Sequence, residues 1–105
     1  MLGPSGHQDT FARDNLPPFE EWPDIKLDGF QYPDWMNAGV ELTDRMVERG
    51  FGDRTALIGN GRRRTYKELS DWTNRIARAL TEDYGLKPGN RVLIRSANNP
   101  AMVAC

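Results

Sequence analysis

The sequence predicts an α/β fold, to which this chain contributes a β-hairpin, an amphipathic helix and one strand of a parallel sheet. Two runs with strand character flank the turn Gly59-Asn60-Gly61, where Gly and Asn tolerate positive φ. A helical pattern with one apolar face begins at Thr65. After a Pro-Gly turn at Lys87–Asn90, the stretch Arg91–Ser96 contains three consecutive apolar residues, as expected for a strand covered on both faces.

Length and composition allow one domain at most. The 105 residues include 14 Lys and Arg against 15 Asp and Glu, so the net charge is −1. This balance gives no whole-chain attraction to nucleic acid or to an anionic membrane. Met1–Thr10 lacks the pattern of a secretory signal, and no apolar run approaches the ~20 residues of a membrane span. The single cysteine, Cys105, cannot form an intramolecular disulfide, and we expect a cytoplasmic protein.

Residues 1–36 are interpreted as an extended N-terminal arm, followed by a folded part at residues 37–105. Prolines recur along the arm, and each fixes φ and removes a backbone donor. Its aromatic residues are Phe11, Phe19, Trp22, Phe30, Tyr32 and Trp35. Disordered tails are poor in aromatic residues, so we expect these rings to be buried against a folded surface and only Met1–His7 to be disordered.

The folded part begins with a helix from an N-cap at Asn37 to about Arg49, with Gly50 as a left-handed C-terminal cap. Its predicted apolar arc contains Val40, Leu42, Thr43, Met46 and Val47. The predicted hairpin strands are Arg54–Ile58 and Arg62–Thr65.

The second helix has the clearest start signal. Thr65 and Glu68 have the spacing of a capping box, in which each side chain satisfies a backbone N–H. The helix is predicted to end at Gly85. Its apolar face comprises Leu69, Trp72, Thr73, Ile76, Ala77, Ala79 and Leu80. If this helix connects the hairpin to a parallel strand at 91–96, the crossover is right-handed.

A last helix is predicted to begin at Asn99 as N-cap, with Pro100 in its first position. The apolar residues Ala101–Cys105 are too few to form a stable helix alone. We therefore expect a truncated fragment, with a frayed apolar tail as the alternative. The isolated chain is expected to be unstable, because its sheet lacks strands and its helix faces lack cover.

Five short motifs follow one another in the folded part: Thr55–Ile58, Arg64–Leu69, Asn74–Leu80, Gly85–Val92 and Asn98–Pro100. In this order and spacing they resemble the opening of the adenylate-forming, or AMP-binding, acyl-CoA synthetase superfamily. The resemblance implies that the chain is the N-terminal portion of the large domain of such an enzyme.

The arm resembles a narrower branch, the benzoate- and 2-aminobenzoate-CoA ligases. The residues that carry this resemblance are Asp9–Pro18, Trp22-Pro23 and Tyr32-Pro33. Asp34-Trp35-Met36 departs from the arginine and leucine that this branch has before the position of Asn37.

The resemblance implies a ligase that joins a carboxylate to AMP and then passes the acyl group to the thiol of coenzyme A. The implied cofactors are ATP, Mg²⁺ and coenzyme A, and the implied substrate is an aromatic or other small carboxylic acid. In the family, the phosphate loop, the adenine and ribose contacts and the catalytic lysine lie further along the chain. We therefore assign no catalytic, cofactor-binding or metal-ligating residue to this sequence.

The turn Gly59–Gly61 with Arg62–Arg64 is the strongest local candidate for phosphate binding. Its spacing is not that of a phosphate-binding loop, and the chemistry of a hairpin turn accounts for it. Nucleic-acid binding by the three arginines is disfavoured because alternate strand residues place only Arg62 and Arg64 on one face. A solvated strand edge that discourages aggregation is the better interpretation.

The remaining candidates also favour structural roles. His7 with Asp9 has no further ligand for a metal ion. Trp72 is interpreted as a core residue, and Cys105 as a buried, inert thiol.

A second hypothesis from a different class is a non-catalytic protein-interaction module. It would retain the opening fold of the family and grip a partner with the aromatic arm. A stable 105-residue chain would favour this hypothesis. The oligomeric state and the acid that is activated stay open.

Overall fold

A computed structural model describes residues 3–105, and Met1 and Leu2, which belong to the predicted disordered tip, lie outside the described residues. The chain divides into two compact units. Residues 3–36 and 87–91 form the first unit, and residues 37–86 and 92–105 form the second. Within residues 3–105, every helix is too short or too polar to cross a bilayer.

The first unit contains one short helix, α1 (Phe11–Asp14), and a single 3₁₀ turn at Phe19–Glu21. The predicted burial of the arm's aromatic rings is wrong, since Phe19 is 64% exposed and Phe30 is 65% exposed. Rings close in sequence pair instead: Phe19 lies 5.4 Å from Trp22, and Phe30 stacks on Tyr32 at 6.3 Å between centroids. Such pairing covers only one side of each ring, which leaves the other side in water.

The first predicted helix of the second unit is divided in two. Asn37 is the N-cap as predicted, and its side chain accepts a first-turn backbone N–H at 3.2 Å. Helix α2 (Ala38–Leu42) then stops at Thr43, where ψ is −79°, and α3 (Asp44–Met46) follows. The Thr43 hydroxyl lies 2.7 Å from the Gly39 carbonyl oxygen and 2.8 Å from the Asp44 carboxylate, so its one hydrogen is shared between two acceptors, and the contact with Gly39 is of a kind that is known to bend helices.

The break at Thr43 changes which residues are covered. Thr43 is only 7% exposed, whereas Leu42, predicted for the same apolar arc, is 69% exposed. The apolar arc was therefore wrong for Leu42, because it assumed one uninterrupted helix. A π-helical turn follows at Val47–Phe51. It contains Gly50 with φ of 84°, which confirms that Gly50 has the predicted left-handed conformation.

The predicted hairpin forms as an antiparallel pair of β1 (Thr55–Gly59) and β2 (Arg62–Thr65). Asn60 and Gly61 both have positive φ, 52° and 70°, as a two-residue type I′ turn requires. The register is irregular between Thr55 and Leu57. The turn chemistry and the strand pattern together account for this element.

Helix α4 (Tyr66–Arg78) begins with the predicted capping box. The Glu68 N–H donates to the Thr65 hydroxyl at 3.2 Å, and the Thr65 N–H donates to the Glu68 carboxylate at 2.9 Å. The helix continues into a π-helical turn at Ala79–Asp83. Leu69, on its predicted apolar face, is 5% exposed and is the main side chain of the small core.

The parallel strand predicted at Arg91–Ser96 is absent from residues 3–105, where the only sheet is the two-stranded hairpin. Leu93, at its centre, is 94% exposed. A strand needs a neighbour to pair its backbone N–H and C=O groups, and this part of the chain supplies none beside 91–96. The predicted right-handed crossover consequently does not form here.

The last predicted helix is confirmed as α5 (Pro100–Ala104). Asn99 is its N-cap, and its side chain accepts the Met102 N–H at 3.1 Å. Ala104 is 2% exposed. The Pro100 ring packs directly against Gly59, where an added Cβ would lie 2.7 Å from Pro100 Cγ.

Candidate functional site

A polar hollow of about 260 Å³ lies in the second unit, where the end of the hairpin meets the start of α5. Arg62 and Arg64, which were considered for phosphate binding, both line this hollow. Asn60 and Arg62 form its hairpin side, and Trp72 and Asn99 line the rest.

The two arginines on this face of β2 are engaged by α4. Arg62 forms a 3.3 Å ion pair with Glu68, and the Arg64 guanidinium lies 4.5 Å from the centre of the Trp72 ring. The prediction that Arg62 and Arg64 form a solvated edge is therefore wrong for Arg64, which is half-buried on the indole. A cation stacked on an aromatic ring is typical of structural packing.

The electrostatics of this region stabilise the start of α4. The backbone N–H of Thr65, followed by the charge of Arg62, holds the pKa of the Glu68 carboxyl below its usual value of 4.5. Glu68 therefore stays ionised at neutral pH, where it completes the capping box and pairs with Arg62. These mutual contacts account for the positions of Arg62 and Arg64 without a bound phosphate.

A polar bridge joins α3 to α4. The Asp44 carboxylate lies 2.8 Å from the Thr43 hydroxyl, 3.2 Å from the Ser70 hydroxyl and 3.5 Å from the Asn74 side-chain amide. The Thr43 bond, with those from Asn74 and Ser70, keeps the pKa of Asp44 below its usual 3.8. Ser70 does not belong to the predicted apolar face of the helix, yet it is only 8% exposed, because this bridge covers it.

In the first unit, Asp9 contacts the Pro-Gly turn. Its carboxylate accepts the side-chain amide of Asn90 at 2.8 Å and lies 4.0 Å from the Arg91 guanidinium. The backbone N–H of Phe11, followed by Asn90, lowers the pKa of Asp9 from its usual 3.8. Asp9 thus serves as a hydrogen-bond acceptor for the turn rather than as half of a metal site with His7.

A shallow hollow of about 620 Å³ also lies within the first unit, beside Pro4, Leu16 and Trp35. Arg13 lies on its wall and donates a hydrogen bond to the Gly3 carbonyl at 2.8 Å. Its walls are surface residues, and Trp35 is 61% exposed. The hollow therefore lacks the enclosed walls of a small-molecule site.

The structure changes the interpretation of two further candidates. Cys105, expected to be buried, is exposed, because the short helix α5 leaves its last residue uncovered. Trp72 is half-buried and carries Arg64 on its face, which places it between core and surface.

We assign no residue of the range 3–105 to the implied ligands ATP and Mg²⁺. In this range, no group of three or more His, Cys, Asp or Glu side chains is arranged to hold a metal ion. The Gly59–Gly61 turn closes a hairpin, and Arg62 and Arg64 contact α4. The arrangement supports folding.

Comparison with protein families matches residues 44–105 to the AMP-binding enzyme family. An acetyl-coenzyme A synthetase of Streptomyces avermitilis is 38% identical over 99 residues, which cover 85% of this chain and 14% of that protein. A 3-hydroxybenzoate–CoA/4-hydroxybenzoate–CoA ligase of Thauera aromatica is 39% identical over 69 residues, 66% of this chain and 13% of that protein.

A 3-hydroxybenzoate–CoA ligase of Aromatoleum sp. is 36% identical over 69 residues. The chain thus spans a small fraction, 14% or 13%, of the length of these relatives. No solved structure matches the chain significantly.

Proposed function

The chain belongs to the AMP-binding enzyme family, and from this premise we propose that it forms part of the scaffold of an ATP-dependent acid–CoA ligase. The observation that carries the proposal is the family match over residues 44–105, together with relatives named as acetyl-CoA synthetases and hydroxybenzoate–CoA ligases. Because the chain covers 14% or less of these relatives, the activity is proposed for the whole protein.

The proposed reaction has two steps. A carboxylate attacks the α-phosphorus of ATP, which forms an acyl-AMP and releases pyrophosphate, and the thiol of coenzyme A then displaces AMP. Mg²⁺ offsets the charge of the phosphates in such reactions. The proposed cellular location is the cytoplasm.

The role proposed for this chain is structural. The hairpin packs against α4. The capping box, the buried Leu69 side chain and the Arg64–Trp72 contact stabilise this packing. We place the residues 91–96 as a parallel strand in the sheet of the whole protein. This placement is supported by the apolar run Val92-Leu93-Ile94 and by the 94% exposure of Leu93, which leaves the segment open to a neighbouring strand.

An aromatic acid such as benzoate or 2-aminobenzoate is the proposed substrate. The hydroxybenzoate–CoA ligases among the relatives and the resemblance of Asp9–Pro18 to the benzoate branch support it. Acetate is the competing substrate, because the acetyl-CoA synthetases match the chain at a similar identity.

The decisive assay is ATP–pyrophosphate exchange by the complete gene product, obtained by reading the coding frame on past the Cys105 codon. Exchange that depends on benzoate, 2-aminobenzoate or a hydroxybenzoate is expected. Exchange with acetate alone would contradict the aromatic substrate but retain the ligase. Absence of exchange with every acid would contradict the ligase itself.

An interaction module is the second candidate, and one observation favours it. The arm presents exposed rings, including Phe19, Phe30 and Tyr32, that a partner could cover. A stop codon directly after Cys105, with a stable folded 105-residue product, would support this candidate against the ligase.

A further inference from the structure

We propose that the first unit contains a releasable clasp, in which residues 7–11 close over the turn at residues 87–91 and hold the N-terminal arm. The proposal concerns the fold and does not rest on the ligase activity. Its evidence is a set of backbone contacts, a set of side-chain contacts and a glycine that the contacts require.

The backbone contacts converge on one carbonyl group. The N–H groups of Gln8 and Asp9 both donate to the Pro88 carbonyl, at 2.9 and 3.0 Å. The turn's own hydrogen bond, from the Asn90 N–H to the Lys87 carbonyl at 3.0 Å, holds that carbonyl in place. Two donors on a fixed acceptor orient the arm at this point.

The side-chain contacts extend the clasp on both sides of Asp9. One carboxylate oxygen accepts the Phe11 N–H at 3.0 Å, and the other accepts the Asn90 amide at 2.8 Å. The Asn90 side-chain oxygen accepts the Lys87 N–H at 2.9 Å, so both ends of this amide are used. The Arg91 guanidinium lies 3.9 Å from the centre of the Phe11 ring.

Gly89 is required by the clasp and not only by the turn. Its φ of +96° could be adopted by Asn, which also tolerates positive φ in turns. However, an added Cβ would collide with the Asp9 carbonyl oxygen and would lie 3.0 Å from His7 Cβ. Any side chain at this position would therefore push the arm away from the turn.

The clasp can open because its groups remain accessible to water. The side chain of Arg91 is 53% exposed, that of Asp9 is 26% exposed, and Phe11 is 54% exposed. Exposed ion pairs and hydrogen bonds each contribute little to the free energy that holds the clasp closed. Opening also exposes little additional apolar surface to water, because Phe11 is already half exposed. The arm is therefore a separate local unfolding unit, which opens without unfolding of α4.

The test is amide hydrogen exchange of the complete gene product at neutral pH, because the isolated 105-residue chain is expected to be unstable. In the parent, the Gln8, Asp9 and Phe11 amides are expected to be protected, whereas Gly89→Ala should accelerate their exchange by about tenfold or more. The Leu69 and Ser70 amides of α4 should not change. Gly29→Ala is the matched control, because Gly29 has a similar φ of +83° but nothing within 4 Å of the added Cβ.

A second variant keeps the test decisive if Gly89→Ala also disturbs α4. Asp9→Asn removes the charge that faces Arg91 and His7, and should accelerate the same three amides several-fold, whereas Asp14→Asn should not. The proposal is overturned if these amides exchange at unstructured rates in the parent, if Gly29→Ala releases them as much as Gly89→Ala, or if Asp9→Asn leaves them unchanged.

Discussion

Thr65 illustrates how one residue can begin a helix. Its hydroxyl accepts the Glu68 N–H, and its own N–H is bound by the Glu68 carboxylate, so two backbone donors that a helix start leaves free are satisfied. All of these atoms lie within four positions of one another. This explains why a signal along the sequence was sufficient to predict them.

The first prediction concerns this cap. Thr65→Ala should destabilise the start of α4 by about 1 kcal/mol, because the Glu68 N–H loses its acceptor. Exchange of the Glu68 amide should be about fivefold faster by NMR. Thr65→Ser, which keeps the hydroxyl, should exchange at nearly the parent rate. Equal rates in the Ala and Ser variants would show that the cap contributes nothing.

The second prediction concerns the core. Leu69 is 5% exposed, so Leu69→Ala should lower the free energy of opening of α4 by about 2 kcal/mol, the lower end for buried leucines because the core is small. Exchange of the α4 amides reports this change. Ile58→Ala is the matched control, since Ile58 is 71% exposed and its truncation should change α4 little. Similar effects of the two substitutions would contradict the assigned core.

At the scale of elements, polar groups join α3 to α4. The interruption at Thr43 separates α2 from α3 and allows Asp44 to approach Ser70 on α4. Thr43 and Ser70 are the two buried polar residues of the second unit, and both contact the same carboxylate. A polar bridge therefore replaces part of the apolar interface that the helical pattern predicted.

The third prediction is the pH dependence of this bridge. The pKa of Asp44 is lowered on folding, so its contribution to stability is complete above the unfolded value near 3.8. That contribution is lost as the pH falls through the lower pKa of the folded state. The contacts with Ser70 and Asn74 should therefore persist at neutral and mildly acidic pH and weaken only in acid below the usual value of 3.8.

An NMR titration of the Asp44 carboxyl and of the Asn74 side-chain amide measures this transition. Asp44→Asn should abolish the pH-dependent change in the chemical shift of the Asn74 side-chain amide. Asp53→Asn, a substitution at an exposed position, should leave that change in place. An Asp44 titration at or above the usual value would disprove the bridge.

At the scale of the whole molecule, little of the chain is covered. Leu69 and Ala104 are the buried apolar residues of the part that the structure describes, while Leu93, Ile58 and Leu42 face water. The two-stranded sheet has both edges open, and an isolated hairpin is at best marginally stable. Burial of apolar area is the main favourable term in folding, and here it is small.

The fourth prediction follows from this limited burial. The isolated 105-residue chain should melt without a cooperative transition, as monitored by circular dichroism at 222 nm during heating. The complete gene product, in which residues 91–96 are proposed to pair within a larger sheet, should melt cooperatively. A sharp, reversible transition of the 105-residue chain would contradict this prediction and favour the interaction module.

The sequence by itself determined the local elements of this protein. The Asn37, Thr65 and Asn99 caps, the Asn60-Gly61 turn and the turn at 87–90 were all predicted and are all present. Each depends on hydrogen bonds or backbone angles within a few residues. The family was also accessible from the sequence, because its motifs are short and follow in a set order along the chain.

Only the tertiary structure decided which residues meet. Asp9 and Asn90 are 81 positions apart, and Asp44 and Ser70 are 26 apart, so no local pattern could pair them. The same holds for exposure: the apolar run at 92–94 is typical of a buried strand, yet burial requires neighbours that lie elsewhere in a fold. Local sequence specifies hydrogen bonds between near residues, whereas burial and long-range pairing depend on what the rest of the chain places beside them.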